Sequence, residues 1–277
     1  MPDKTVLITG CSAGGIGYAL AQHFQKRGLT VFATARSLSS MTGLETLPNT
    51  TLLALDVTKP AEMAAAVEEV QTRTGGKLDY LVNNSGQQQF RPVLDHDIDQ
   101  AKDMFEVNFW GVVRMVQAFA PLLIQAKGTL VNIGSIAAYL CPPFSGIYNA
   151  SKAAVHALDE TLRIELAPLQ VKVLTVVTGS ISTLITKKSP PPNLPPTSKY
   201  LPTEEYMEHL IQGTANFTTS KPAVFAEQVV QDVLNGVTGK TFRGANATAT
   251  RFLPPLVPTF VKDKILTNGT GLDKVGK

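Results

Sequence analysis

The stretch from Thr5 to Gly28 constrains this chain more than any other. Thr5-Val6-Leu7-Ile8 is a short continuous apolar run, the pattern of a strand buried on both faces in a parallel sheet. It leads through Thr9 into Gly10-Cys11-Ser12-Ala13-Gly14-Gly15-Ile16-Gly17, and a helical spacing of Leu20, Ala21 and Phe24 follows up to Gly28. Strand, glycine turn and helix together make a phosphate cradle. The glycines let the backbone approach a pyrophosphate, and the helix start offers free N–H groups and the positive end of its dipole. A plain flexible turn is the competing reading, and the position between a first strand and a first helix argues against it.

Thr30-Val31-Phe32-Ala33-Thr34 reads as a second strand and completes a βαβ unit, whose second strand ends at the adenosine ribose. An acid there would accept from the ribose 2′-hydroxyl. This chain instead carries Ala35-Arg36-Ser37, and a guanidinium pairs with a 2′-phosphate. NADP(H) is therefore favoured over NAD(H); a solvated surface arginine is the plainer alternative.

Further strands are expected at Leu52–Val57, Leu78–Val82, Thr129–Ile133 and Lys172–Thr178. Asp56, at the end of the first of these, is placed to accept from the adenine amino group or to act as a turn residue. Thr58 is expected to N-cap a helix beginning near Pro60, with Glu62 in its first turn. Asn83-Asn84-Ser85-Gly86 follows a central strand, where two amides imply a held loop or a ligand. A long helix is predicted from Ile98 to Gln125, with Phe105, Phe109, Val112, Val116 and Phe119 in core or subunit interface and Asn108 as its polar exception. Another is predicted over Ile147–Glu165. Strands alternating with helices imply a doubly wound, mostly parallel α/β sheet with helices on both faces, and ligands lie across the carboxyl ends of such strands.

At 277 residues, with 44% hydrophobic and 17% charged, one large domain spanning 1–277 is expected. Within it, about 185–220 reads as a substrate loop with helices, crowded with prolines from Ser189 to Pro202, and about 245–277 as a proline-broken tail. Helices are expected at Tyr206–Phe217 and Ala223–Asn235. The net charge of +3 permits an anionic cofactor, but without a basic run no nucleic acid is expected. Neither a signal peptide nor a spanning helix is expected. Two cysteines, Cys11 and Cys141, indicate neither a disulfide framework nor a metal site, and a reducing, cytoplasmic setting is the expectation.

The order and spacing of Thr9-Gly10, Gly14-Gly15-Ile16-Gly17, Asn83-Asn84-Ser85-Gly86, Asn108, Ser135, Tyr148-x-x-x-Lys152 and Gly179-x-x-x-Thr183 resembles the short-chain dehydrogenase/reductase superfamily over roughly residues 3 to 183. Within it the chain is similar to the 17β-hydroxysteroid-dehydrogenase-like branch, and to the fungal NADPH-dependent acyl-dihydroxyacetone-phosphate reductases through its extra glycine, Arg243-Gly244 and tail. The resemblance implies a Rossmann fold with Tyr148 as general acid/base, its pKa lowered by Lys152 and the oxidised nicotinamide. It implies Ser135 orienting the substrate carbonyl and Asn108 supporting a water relay to Lys152. Cofactor contacts would come from Gly10, Ser12, Gly15, Ile16, Gly17, Arg36, Ser37, Asp56, Val57, Asn83, Tyr148, Lys152, Gly179, Ile181 and Thr183. The chain departs from the pattern in one extra residue in the glycine loop, in Ser85 for the commoner alanine, and in Thr178 for the proline before Gly179.

The expected activity is NADP(H)-dependent reduction of a carbonyl, or oxidation of the alcohol, on a largely apolar small molecule. That substrate would be met by Gln87–Phe90, Ile136–Phe144 and the proline-rich loop, with Tyr139, Leu140 and Phe144 as its apolar surface; Lys187 and Lys188 leave a phosphate-bearing substrate open. Cyclisation, epimerisation or dehydration without net redox change is the second reading, and a non-catalytic NADP-binding scaffold the third. The resemblance further suggests a homodimer or homotetramer; lipid-surface association stays open.

Overall fold

The computed structural model describes residues 4–215 and 218–277. The chain runs β1 (Thr5–Ile8), α1 (Ile16–Lys26), β2 (Thr30–Ala35), β3 (Thr50–Ala54), α2 (Pro60–Thr74), β4 (Tyr80–Asn83), α3 (Ile98–Phe105), α4 (Gly111–Ala126), β5 (Thr129–Ile133), α5 (Ala137–Leu140), α6 (Gly146–Glu165), β6 (Lys172–Thr178), α7 (Glu204–Gln212), α8 (Pro222–Leu234), β7 (Gly239–Arg243), α9 (Ala247–Leu256) and α10 (Thr259–Thr267). The strands form one seven-stranded sheet in the order β3-β2-β1-β4-β5-β6-β7, parallel throughout. The order reverses between β1 and β4, where a crevice opens beyond the strand ends.

Alternation along the strands divides the core. Val6 and Ile8 face Leu20, Phe24, Phe225 and Val229, so α1 and α8 cover one side. Leu7 and Phe32 face Val70, Met115, Phe119 and Val155, so α2, α4 and α6 cover the other. A smaller core of Phe90, Phe144, Leu194, Met207 and Leu210 anchors the proline-rich segment and α7 beside the sheet.

Several expectations change. β3 occupies Thr50–Ala54 rather than Leu52–Val57: Leu55 still donates to the Ala35 carbonyl (2.9 Å), but the chain then turns. The α2 N-cap is Lys59, not Thr58, whose hydroxyl donates instead to Asp56 Oδ1 (2.8 Å). The helix expected from Ile98 to Gln125 is interrupted by a π turn at Glu106–Trp110, which carries Asn108. Ile98–Ala126 as a whole is long and apolar enough to cross a membrane, and it buries Met115, Phe119, Leu122 and Leu123 against the rest of the protein. The helices expected at Tyr206–Phe217 and Ala223–Asn235 are α7 and α8; Phe217 lies outside the described residues. β7 is a strand where none was expected, and α9 and α10 give order where only a broken tail was expected.

Candidate active site

A cavity of about 1670 Å³ opens along the carboxyl ends of the strands. Pockets for single drug-sized ligands measure roughly 300–1,000 Å³, so there is space for a dinucleotide and a second molecule together. Its walls include Gly10, Ser12, Gly15, Ile16, Arg36, Asp56, Val57, Ser135, Tyr148, Lys152, Gly179, Ile181 and Thr183. Residues expected at opposite ends of the reaction therefore share one space.

The glycine loop is closely tied to the end of β4. Thr9 Oγ1 accepts from the amides of Asn84 and Ser85 (both 2.9 Å), and Asn84 Nδ2 donates to the carbonyls of Thr9 (2.8 Å) and Gly10 (3.1 Å). A Cβ on Gly17 would stand 2.6 Å from the Gly10 oxygen and 2.5 Å from Asn84 Nδ2, which is why a glycine opens this helix. Gly17 thus shapes the loop from behind instead of lining the cavity. Gly14 turns in the left-handed region at φ 75°, which a glycine adopts without a Cβ penalty.

Arg36 is exposed on the cavity wall, near a group of hydroxyls in which Ser12 donates to Ser40 (3.2 Å). Ser37 does not line the cavity; its hydroxyl pairs with Ser39 (2.8 Å). Asp56 sits in the turn after β3, where Oδ1 accepts from the amide of Thr58 (2.9 Å), and this turn brings Asp56 and Val57 to the wall. Asn83 does not line the cavity. It is buried, and its Nδ2 donates to Asn132 Oδ1 (2.9 Å), so the amide at the cavity is that of Asn84.

The α6 helix carries Tyr148 and Lys152 one turn apart on one face. Lys152 Nζ donates to the Ile133 carbonyl (2.9 Å) and lies 5.9 Å from the Tyr148 ring centre. Burial pulls its pKa down to about 8, opposed by the carboxylate of Asp159, so it is predominantly protonated at neutral pH. Tyr148 differs from expectation. Burial pushes its pKa up, with the Ser135 hydroxyl acting the other way, so the chain's own groups hold the phenol as an acid. Ser135 Oγ accepts from the amide of Ala137 (3.1 Å), which leaves its proton free to be donated.

Asn108 is fully buried and does not line the cavity. Its Oδ1 accepts from the Gln87 amide (2.7 Å), while Nδ2 donates to the Gln87 carbonyl (2.9 Å) and to Ser151 Oγ (3.0 Å). The side chain therefore pins the loop after β4 to α6, and the π turn is what rotates it into that gap.

Below these residues lies a polar layer not anticipated from sequence. Asn132 Nδ2 donates to Asp159 Oδ1 and Thr175 Oγ1 donates to Asp159 Oδ2 (2.7 Å for the latter). Asp159 is buried, and burial raises its carboxyl to about 6 against the pull of Thr175, Asn132 and Lys152. Only the recurrence of polar residues on one face of the helix, at 148, 152, 156 and 159, could have signalled it. On the substrate side, Tyr139 packs on His156 and Phe242 (ring centres 5.3 and 6.3 Å), and Phe144 lies in the small core, so neither forms the expected surface. Leu140 does, with Leu184, Ile185, Val257, Val261 and Ile265, the last three from the tail.

Residues 4–193 match the short chain dehydrogenase family. The chain is 47% identical over 272 residues to the short-chain dehydrogenase ptmH of Penicillium ochrochloron, covering 98% of this chain and 100% of that one. It is also 47% identical over 186 residues to an NADPH-dependent 1-acyldihydroxyacetone phosphate reductase of Schizosaccharomyces pombe, covering 67% of this chain and 62% of the relative. Among solved structures, a short-chain dehydrogenase from Streptomyces avermitilis superposes with a TM-score of 0.77 at 27% identity, covering 99% of this chain and 97% of the other. One from Burkholderia cenocepacia in complex with NADP gives 0.74 at 26% identity, covering 96% and 98%. A seven-stranded parallel sheet, a glycine cradle and a tyrosine–lysine pair facing one cavity thus agree with sequence and structural likeness alike: the chain belongs to the short-chain dehydrogenase family.

Proposed function

We propose that the protein is an NADP(H)-dependent oxidoreductase that interconverts a ketone and a secondary alcohol on a largely apolar small molecule, with Tyr148 as general acid/base. The observation that carries this reading is the single cavity shared by Arg36, the glycine cradle, Ser135, Tyr148 and Lys152. The dinucleotide fits these residues. A loop packed so closely on Gly17 that no Cβ fits between them brings backbone up to a pyrophosphate, and an exposed guanidinium at Arg36 meets a 2′-phosphate.

When bound, the nicotinamide supplies or takes the hydride. The chain's part is to position the carbonyl and manage one proton. Ser135 donates its free hydroxyl proton to the substrate oxygen. Tyr148, kept in its acid form by burial, gives that oxygen the proton needed to make the alcohol. Lys152, held by the Ile133 carbonyl, places its positive charge beside the ring and stabilises the phenolate left behind. In the oxidative direction the same phenolate takes the proton back. Aliphatic walls from Leu140, Leu184 and the tail helices support an apolar substrate; Lys188 and Lys262, also on the wall, are compatible with an anionic group on it.

The test follows NADPH absorbance across a panel of ketones and compares wild type with Tyr148→Phe. Turnover should fall by at least about a hundredfold, with NADPH affinity within about twofold by fluorescence titration. Turnover by the variant at the wild-type rate would refute the role of Tyr148; product formed without NADPH consumption would favour the non-redox reading.

A further inference from the structure

We propose that His156 is a positioning residue for this reaction: its Nε2 accepts the backbone N–H of Ser135 and so fixes the segment that presents the Ser135 hydroxyl to the carbonyl. The proposal rests on the function proposed above.

The need for such an acceptor follows from strand pairing. Beyond β5, the amides of Gly134 and Ile136 donate to the β6 carbonyls of Val176 and Thr178 (both 2.9 Å). The intervening amide of Ser135 faces away from β6, as alternate amides of a parallel strand must. On that side β4 has ended at Asn83, paired with Asn132, so no strand carbonyl remains for it. A buried amide left without an acceptor is costly. His156 supplies one, at 3.3 Å from the Ser135 nitrogen.

The surroundings are shaped to this contact. His156 is 6% exposed and follows Tyr148 and Lys152 at two and one helical turns along α6, so one helix face holds proton donor, cation and imidazole. A Cβ on Gly134 would lie 2.2 Å from Nε2, so the ring reaches Ser135 only because glycine precedes it. The ring of Tyr139 closes over the imidazole, with ring centres 5.3 Å apart. Accepting at Nε2 requires the tautomer protonated at Nδ1, whose N–H is buried without a partner among the described residues. Burial first, then the charges of Lys152 and Lys240, against Glu160, bring the imidazole down to about 4, so Nε2 is unprotonated at neutral pH.

With its amide held by His156 and its Oγ by the amide of Ala137, Ser135 has little freedom left except the direction of its proton. A reacting group fixed in this way contributes to rate through orientation, while cofactor binding, made elsewhere in the cavity, is untouched.

Two amide variants separate the hydrogen bond from polarity. In His156→Gln the side-chain oxygen reaches the place of Nε2; in His156→Asn it is one methylene too short. Both are made in the full-length protein and compared with wild type for hydrogen exchange at the Ser135 amide, thermal melting, NADPH affinity and ketone reduction. His156→Asn should exchange at Ser135 about tenfold faster or more and lose about tenfold in kcat, with NADPH affinity within about twofold. His156→Gln should stay within about threefold of wild type in both. The proposal is overturned if Asn and Gln behave alike in exchange, or if exchange rises in His156→Asn while kcat does not fall. Exchange is read without substrate, so a wild type that reduces no ketone would remove the functional reading, and the positioning role of His156 with it, while still deciding the contact.

Discussion

The carboxyl of Asp159 is raised from an ordinary 3.8 to about 6 by burial, and this has a measurable cost. Well below pH 3.8 the group is protonated in folded and unfolded chain alike and contributes nothing that depends on pH. As pH rises, the unfolded chain releases its proton first. The folded chain then binds more protons than the unfolded one, so stability falls with pH until the folded carboxyl has titrated near 6. A rise from 3.8 to about 6 corresponds to about 3 kcal/mol in total, of which about 2 kcal/mol accumulates between roughly pH 4.5 and 7.

Asp159→Asn tests this. Asparagine keeps the shape of the carboxyl, its oxygen still accepts from Asn132, and its amide meets a Thr175 hydroxyl able to reverse direction. It cannot ionise. The perturbation therefore removes the slope while leaving the packing of the polar layer in place. Urea unfolding of the cofactor-free proteins across this range should show the variant gaining on wild type as pH rises. With a urea dependence of roughly 3 kcal/mol per molar, the gap between the two midpoints should grow by about 0.7 M. Lys152, near 8, titrates above the window. A gap that stays constant from pH 4.5 to 7, or that narrows, would refute the reasoning, because either result means that Asp159 is ionised in the folded protein at the lower pH.

Gly17→Ala should cost about 1–3 kcal/mol and weaken NADPH binding by about tenfold or more, since its Cβ presses on the Gly10 carbonyl, a backbone atom that can yield only by moving the cradle. Fluorescence titration together with thermal melting checks this, and unchanged affinity would remove Gly17 from the reasons the loop has its shape. Arg36→Asp should lower the ratio of kcat/KM for NADPH to that for NADH by about a hundredfold, an attraction for the 2′-phosphate being replaced by repulsion. A ratio that does not move would make Arg36 an ordinary surface residue.

What could be read from the chain in advance was what depends on neighbours in sequence. Val6 and Ile8 alternate with Leu7 between two cores, and burial on both faces is visible in the strand itself as an unbroken apolar run. Tyr148 and Lys152 share a face because four residues make one helical turn. β7 escaped notice because Gly239–Arg243 is an edge strand with one buried side chain, Thr241, and so has no apolar period to show. β3 is expected late because Leu55 and Val57 continue the apolar pattern; past the strand's end at Ala54 they are buried in the core with residues of α2 and α4.

Asn83 shows a different limit. An amide at a strand end looks the same in sequence whether it meets a ligand or another amide. The register that sets Asn83 opposite Asn132 decides between them, and it joins residues 49 apart in the chain. His156 and Asp159 follow the same rule. Polar residues at helical spacing normally mark a solvated face, and these two are buried because Gly134 and Thr175 stand opposite them. Neither of those small residues carries any signal of its own. Gly134 makes room for an imidazole and Thr175 offers a hydroxyl, and together they turn the inner face of α6 from packing surface into the floor of the site. The polar floor is thus specified by pairs of residues, one on the helix and one on a strand, so a change at Gly134 should act on Ser135 through His156 rather than directly.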